Sequence, residues 1–164
     1  MARGTGVSRK SAAAVAVLVA VAAAAYWWIG PPSRSIDTSH MTVTVSGSDK
    51  FTRRQLDDAV QAVLDAKSNG CSIDTVSYDE ARSNDMLKLE RRSIERDPGG
   101  YSTIYGKGIA RYGADGMAVF QTDFTCGRHT FNPSSETGWC DYLAYDPDSP
   151  NADHGWVLID SGTG

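Results

Sequence analysis

Hydrophobic and polar positions change rhythm along the chain. Residues 11–30, SAAAVAVLVAVAAAAYWWIG, carry no charged side chain. Twenty helical residues at ~1.5 Å rise cover about 30 Å, the thickness of a bilayer's hydrocarbon core. Residues 31–50 (PPSRSIDTSHMTVTVSGSDK) are rich in Pro, Ser, Thr and Gly, the composition of a linker. Within them MTVTV alternates in the manner of a short edge strand, but the flanking Ser, Gly and Asp favour loop.

From Phe51 the pattern is that of a folded domain. Thr52 to Gln55 has the T-x-x-Q form of a capping box, with Phe51 and Leu56 placed as a hydrophobic staple. Leu56, Ala59, Val60, Val63 and Leu64 then recur at the spacing of a core-facing helical stripe, which Asn69-Gly70 ends. Residues 71–78 read as a strand through Ile73, Thr75 and Val76. A second helix is expected over about 80–96, with fewer apolar positions and mixed charges on a solvated face. The Gly-rich stretch 101–116 reads as one irregular strand. Residues 117–126, 139–145 and 156–161 read as three antiparallel strands separated by the loops FNPSSETG and DPDSPNADHG. The result is an α+β domain over 51–164, a long helix packed on an antiparallel sheet with the helices gathered on one face. Its expected core includes Leu56, Val60, Val63, Phe120, Phe124 and Leu158.

Charge adds a topology. Arg3, Arg9 and Lys10 precede the apolar run, and Tyr26, Trp27 and Trp28 stand at its far end, where aromatic rings favour the headgroup interface. The expected organisation is a cytoplasmic tail (1–10), a transmembrane signal anchor (11–30), a linker (31–50) and an extracytoplasmic domain. A cleaved signal peptide, giving a secreted protein, is the competing reading, since Ala-x-Ala occurs at residues 23–25. The bulky Tyr26, Trp27 and Trp28 directly after that site, and an apolar run longer than the ~7–15 residues of a signal, favour the anchor. A net charge of −4 argues against a nucleic-acid partner, which would need a net basic face. Residues 115–164 hold one basic residue against eight acidic ones.

Outside the membrane the three cysteines would meet an oxidising space, where free thiols are disfavoured. Cys126 and Cys140 are each seven residues from Pro133, so a hairpin turning there sets them opposite each other, with Phe124 opposite Tyr142. A Cys126–Cys140 disulfide with Cys71 reduced is therefore expected. A bridge from Cys71 to one of the other two is the alternative.

Gly70-Cys71, Tyr78-Asp79-Glu80, Thr122-Asp123-Phe124, Asn132-Pro133-Ser134, Trp139, Gly155-Trp156, Asp160 and Gly162 resemble an uncharacterised domain family of exported proteins and lipoproteins of Gram-positive bacteria. The resemblance covers 51–162 apart from about 90–116. It implies a cystatin-like or NTF2-like fold, a helix wrapped by a curved antiparallel sheet, and brings no catalytic residues. Cys126 to His129 stands where the family has a Ser/Gly/Asp turn, Tyr142 where it has a second Trp, and the closing aromatic of its C-terminus is missing. Gly70-Cys71 belongs to the shared pattern and Cys126 and Cys140 do not, which keeps the Cys71 bridge open as the lesser alternative.

Catalytic and metal chemistry find little footing. Cys126, His129, Cys140, Asp141 and His154 suggest half a zinc site or a thiol–imidazole pair, at spacings too long for a compact ligand set. Asp146-x-Asp148 with Asn151 and Asp153 lacks the Gly and Glu that a calcium loop requires at its sixth and twelfth positions. Asp123, His129 and His154 remain the catalytic candidates, and a solvated or structural role is the simpler reading of each. No cofactor is expected. The sequence thus reads as a membrane-anchored binding or interaction module of the bacterial cell envelope, with a small NTF2-like pocket hydrolase or isomerase as the alternative.

Overall fold

The computed structural model describes residues 35–67, 70–96, 104–127 and 134–163. The uncharged run 11–30, with Tyr26, Trp27 and Trp28, lies outside the described residues, as does His129. The elements are β1 (Thr42–Val45), α1 (Arg53–Asp65), β2 (Cys71–Tyr78), α2 (Glu80–Arg96), α3 (Ile104–Tyr112), a 3-10 turn (Ala114–Gly116), β3 (Met117–Cys126), β4 (Ser135–Tyr145) and β5 (Trp156–Thr163). The strands form one sheet in the order β1-β2-β3-β4-β5, antiparallel except where β1 runs parallel to β2. The α+β class is as expected, with a mixed sheet.

The capping box forms in full. Gln55 N–H donates to Thr52 Oγ1 (3.3 Å) and Thr52 N–H donates to Gln55 Oε1 (2.8 Å). α1 buries Leu56, Ala59, Val60, Ala62 and Val63 against Ile73, Val76 and Tyr78 of β2, Ala118, Phe120 and Phe124 of β3, Leu143 of β4 and Trp156 of β5. Leu158 differs from the expected core. It is 39% exposed, because β5 is an edge strand with a neighbour on one side only.

Helices cover both faces of the sheet rather than one. Successive residues of a strand point to opposite sides, and β3 is apolar on both. Met117 and Val119 join Tyr142, Ala144 and Cys140 of β4 in a second cluster under Leu87 of α2 and Ile109 and Tyr112 of α3. The Gly-rich stretch expected as a strand supplies α3. Its glycines weaken an isolated helix, but Gly108 lets this one approach the sheet closely. A Cβ at Gly108 would lie 2.9 Å from Ile159 Cγ2 and 3.1 Å from Met117 Cε.

The expected linker 31–50 is folded from Ser35 onward. Gly70 N–H donates to the Ser35 carbonyl (3.2 Å), Asp37 N–H to Cys71 O (2.9 Å) and Ile73 N–H to Asp37 O (2.9 Å). Residues 42–45 pair with 75–78, and Ile36, Met41 and Val45 pack against the α1 core. Strand pairing supplied from β2 outweighs the local loop signals around MTVTV.

The disulfide joins Cys71 to Cys126, and Cys140 is a buried free thiol. This corrects the expected Cys126–Cys140 pairing. Thr125 pairs with Ser135, and this register does not bring residues equidistant from Pro133 opposite each other. That register, shifted by a bulge, sets Cys140 opposite Gln121, Tyr142 opposite Val119 and Phe124 opposite Glu136. Cys126 meets Cys71 across the other edge of β3.

Candidate functional site

The catalytic candidates do not converge. Asp123 lies on β3 with both carboxylate oxygens engaged: Thr75 Oγ1 donates to Oδ2 (2.8 Å) and Gly138 N–H to Oδ1 (2.6 Å). It ties β2 to the bulged start of β4. His154 precedes β5 in the left-handed region (φ 53°), and its Nε2 lies 3.0 Å from Asp65 Oδ2 of α1. Cys140 faces the α2–α3 cluster, where its Sγ donates to Gly138 O at 3.4 Å. The acidic loop after β4 is closed on itself by backbone bonds, Ser149 N–H to Asp146 O (3.1 Å) and Ala152 N–H to Ser149 O (3.1 Å). Among the described residues no three His, Cys, Asp or Glu side chains come together as metal ligands.

A buried ion pair was not singled out from the sequence. Lys67, just past the end of α1, places Nζ 2.7 Å from both Oδ1 and Oδ2 of Asp141 on β4, and Thr122 Oγ1 donates to Oδ2 (2.7 Å). Asp141 is fully buried, and the ammonium lies 5.1 Å from the ring centre of Phe124 and 5.9 Å from that of Trp139. Burial pushes the Asp141 carboxyl above the usual carboxylate range and the Lys67 ammonium below the usual lysine value, each opposed by its partner. The pair sits within the α1 core and lines none of the clefts described below. The available signal was Asp141 on the same strand face as Trp139 and Leu143, an acid at an otherwise apolar position.

Two polar clefts are open to solvent. One, of about 170 Å³, lies between the start of α2 and strands β1 to β3 and includes Thr44, Ser46, Ser77, Arg82 and Gln121. The larger, of about 510 Å³, lies between the first turns of α1 and the end of the β4–β5 loop. Thr52, Arg54, Gln55 and Asp58 form one wall, and Tyr145, Pro147, His154 and Gly155 the other. Trp156 Nε1 donates to the Gln55 carbonyl (2.8 Å) and locks α1 to β5 behind it. Tyr145 stacks edge-on against Trp156 at 5.2 Å, which holds its ring in place. Gly155 has φ 82°, and a Cβ there would lie 3.4 Å from Tyr145 Cε2 and 3.6 Å from Pro147 Cβ. The glycine therefore serves both the turn and the close packing of this wall.

Compared with family models, with curated proteins and with solved structures, the chain matches none.

Proposed function

We propose that this chain is a single-pass protein of the bacterial cell envelope, with a cytoplasmic N-terminus and residues 35–163 outside the cell as a binding or interaction module. The observation that carries the reading is the Cys71–Cys126 disulfide, which ties β2 to β3 at one end of the sheet. Such bonds persist in oxidising compartments and are rare in the cytosol. The uncharged run 11–30 behind Arg3, Arg9 and Lys10 agrees with it. Among the described residues no helix is long and apolar enough to cross a membrane, so residues 11–30 would carry the anchor. The family resemblance and its cystatin-like or NTF2-like fold belong to the same proposal. A binding role is favoured over a pocket hydrolase because Asp123 is held by Thr75 and Gly138, and His154 pairs with Asp65 on another element.

Protease added to intact cells tests the topology. Digestion of the domain from outside, with the untreated protein in the membrane fraction, is the expected result. A chain protected until lysis would overturn the reading, and a mature chain in the medium starting near Tyr26 would replace the anchor with a signal peptide.

A further inference from the structure

The larger cleft has a specific chemistry. Its helical wall presents a carboxylate beside a guanidinium, Arg54 Nε and Asp58 Oδ2 lying 4.0 Å apart in a loose pair whose arginine side chain is 92% exposed. A carboxylate acceptor next to guanidinium donors suits neighbouring hydroxyl groups, each of which both donates and accepts. The Oε1 of Gln55 is spent on the cap, where it accepts from Thr52, which leaves its amide donors for a ligand. On the facing wall His154 uses Nε2 on Asp65. The other ring nitrogen, Nδ1, is left to meet a ligand. The same wall carries the ring of Tyr145 beside Pro147, brought close by Gly155. The face of an aromatic ring is electronegative and receives polarised C–H groups. The cap of α1 is satisfied by its own residues, so side chains rather than the helix end define the cleft.

Resting on the binding role proposed above, we infer that this cleft is a saccharide-binding site: Arg54, Asp58, Gln55 and His154 take the ring hydroxyls, and Tyr145 with Pro147 takes an apolar ring face. Its volume of about 510 Å³ lies within the range of about 300–1,000 Å³ usual for small-ligand sites. Mixed charge argues against a simple anion site, because the carboxylate of Asp58 would repel a phosphate that Arg54 attracts.

The test titrates the full chain, in micelles of a detergent without a sugar headgroup, with chitotetraose, cellotetraose, mannotetraose and inorganic phosphate, followed by amide chemical shifts. Saturable shifts at Arg54, Asp58, His154 and Gly155 with at least one oligosaccharide are expected. Binding should weaken at least about tenfold in Arg54→Ala, at an exposed position, and in Asp58→Asn, a near-isosteric change at a half-buried one. No saturable shift with any of the three sugars, equal affinity in both variants, or binding of phosphate alone would each overturn the assignment. The protease experiment is independent of this outcome: a domain outside the cell that ignores sugars sinks the saccharide site and leaves the topology standing.

Discussion

Lys67 Nζ sits 2.7 Å from each carboxylate oxygen of Asp141, and the two residues close the α1 core from opposite sides, one past the helix and one on the central part of the sheet. Removing one member leaves a buried charge without its partner, which destabilises far more than the intact pair stabilises. Lys67→Ala is therefore expected to lower unfolding stability by about 3–5 kcal/mol. The double substitution Lys67→Met with Asp141→Leu should recover most of that loss. Urea unfolding of the three proteins checks it, and a double variant no better than the single one would show that the charges add to stability.

Reduction of the disulfide should have a large effect on stability. Cys71 and Cys126 are 55 residues apart, and closing a loop of that length contributes about 4 kcal/mol in the chain-entropy model. The urea midpoint should fall accordingly in Cys71→Ser with Cys126→Ser. Under non-reducing conditions, alkylation should modify Cys140 alone, and only after unfolding, because it is 1% exposed. A linked peptide containing Cys140 would contradict this pairing.

The folded unit should include residues 35–45 and not begin after the strand-like MTVTV. A fragment 46–164 lacks the four β1–β2 pairs and the packing of Ile36, Met41 and Val45. It is expected to be less stable than 35–164 by about 3 kcal/mol or more on the burial of those side chains. Equal melting midpoints for the two fragments would show β1 to be dispensable.

Glu80 gives the fold an acid-sensitive contact. Its Oε2 accepts from Ser48 Oγ and from the backbone N–H groups of Asp49 (3.0 Å) and Lys50 (3.3 Å), fixing the turn before α1. The bond from Ser48, aided by these backbone donors, holds its carboxyl below the usual value of 4.5. As pH falls below 4.5 the unfolded chain takes up this proton before the folded one, so stability drops through that interval. Stability measured from pH 6 to pH 3 should decline less steeply in Glu80→Gln than in the wild type. Identical slopes would remove Glu80 from the acid response.

Helix α2 should matter to stability as much as α1. Leu87 is 1% exposed beneath the second sheet face and Val63 is buried beneath the first. Leu87→Ala is expected to destabilise by about 2–5 kcal/mol, with a smaller loss for Val63→Ala, which removes less volume. A neutral Leu87→Ala would mean that α2 does not cover the sheet.

What was legible in the sequence is local. The Thr52–Gln55 cap and the Leu56 to Val63 stripe announce α1, because a helix end and a helix face are set by residues a few positions apart. The alternation of residues 117–126 and the turn residues of the 146–155 loop are similarly self-contained. Only tertiary structure decided the rest, since each remaining feature depends on partners far along the chain. Cys126 bonds Cys71 because β3 lies between β2 and β4 and the β3–β4 register sets Cys140 opposite Gln121, far from Cys126. Gly-rich residues 104–112 become helix because Ile109 and Tyr112 find a sheet face to cover and Gly108 fits against Ile159. Arg54, Asp58, Tyr145 and His154 become one cleft only when α1 is seated over the end of β4. Their spacing of about ninety residues leaves no periodic trace, so the physical contact that makes them a site is created by folding alone.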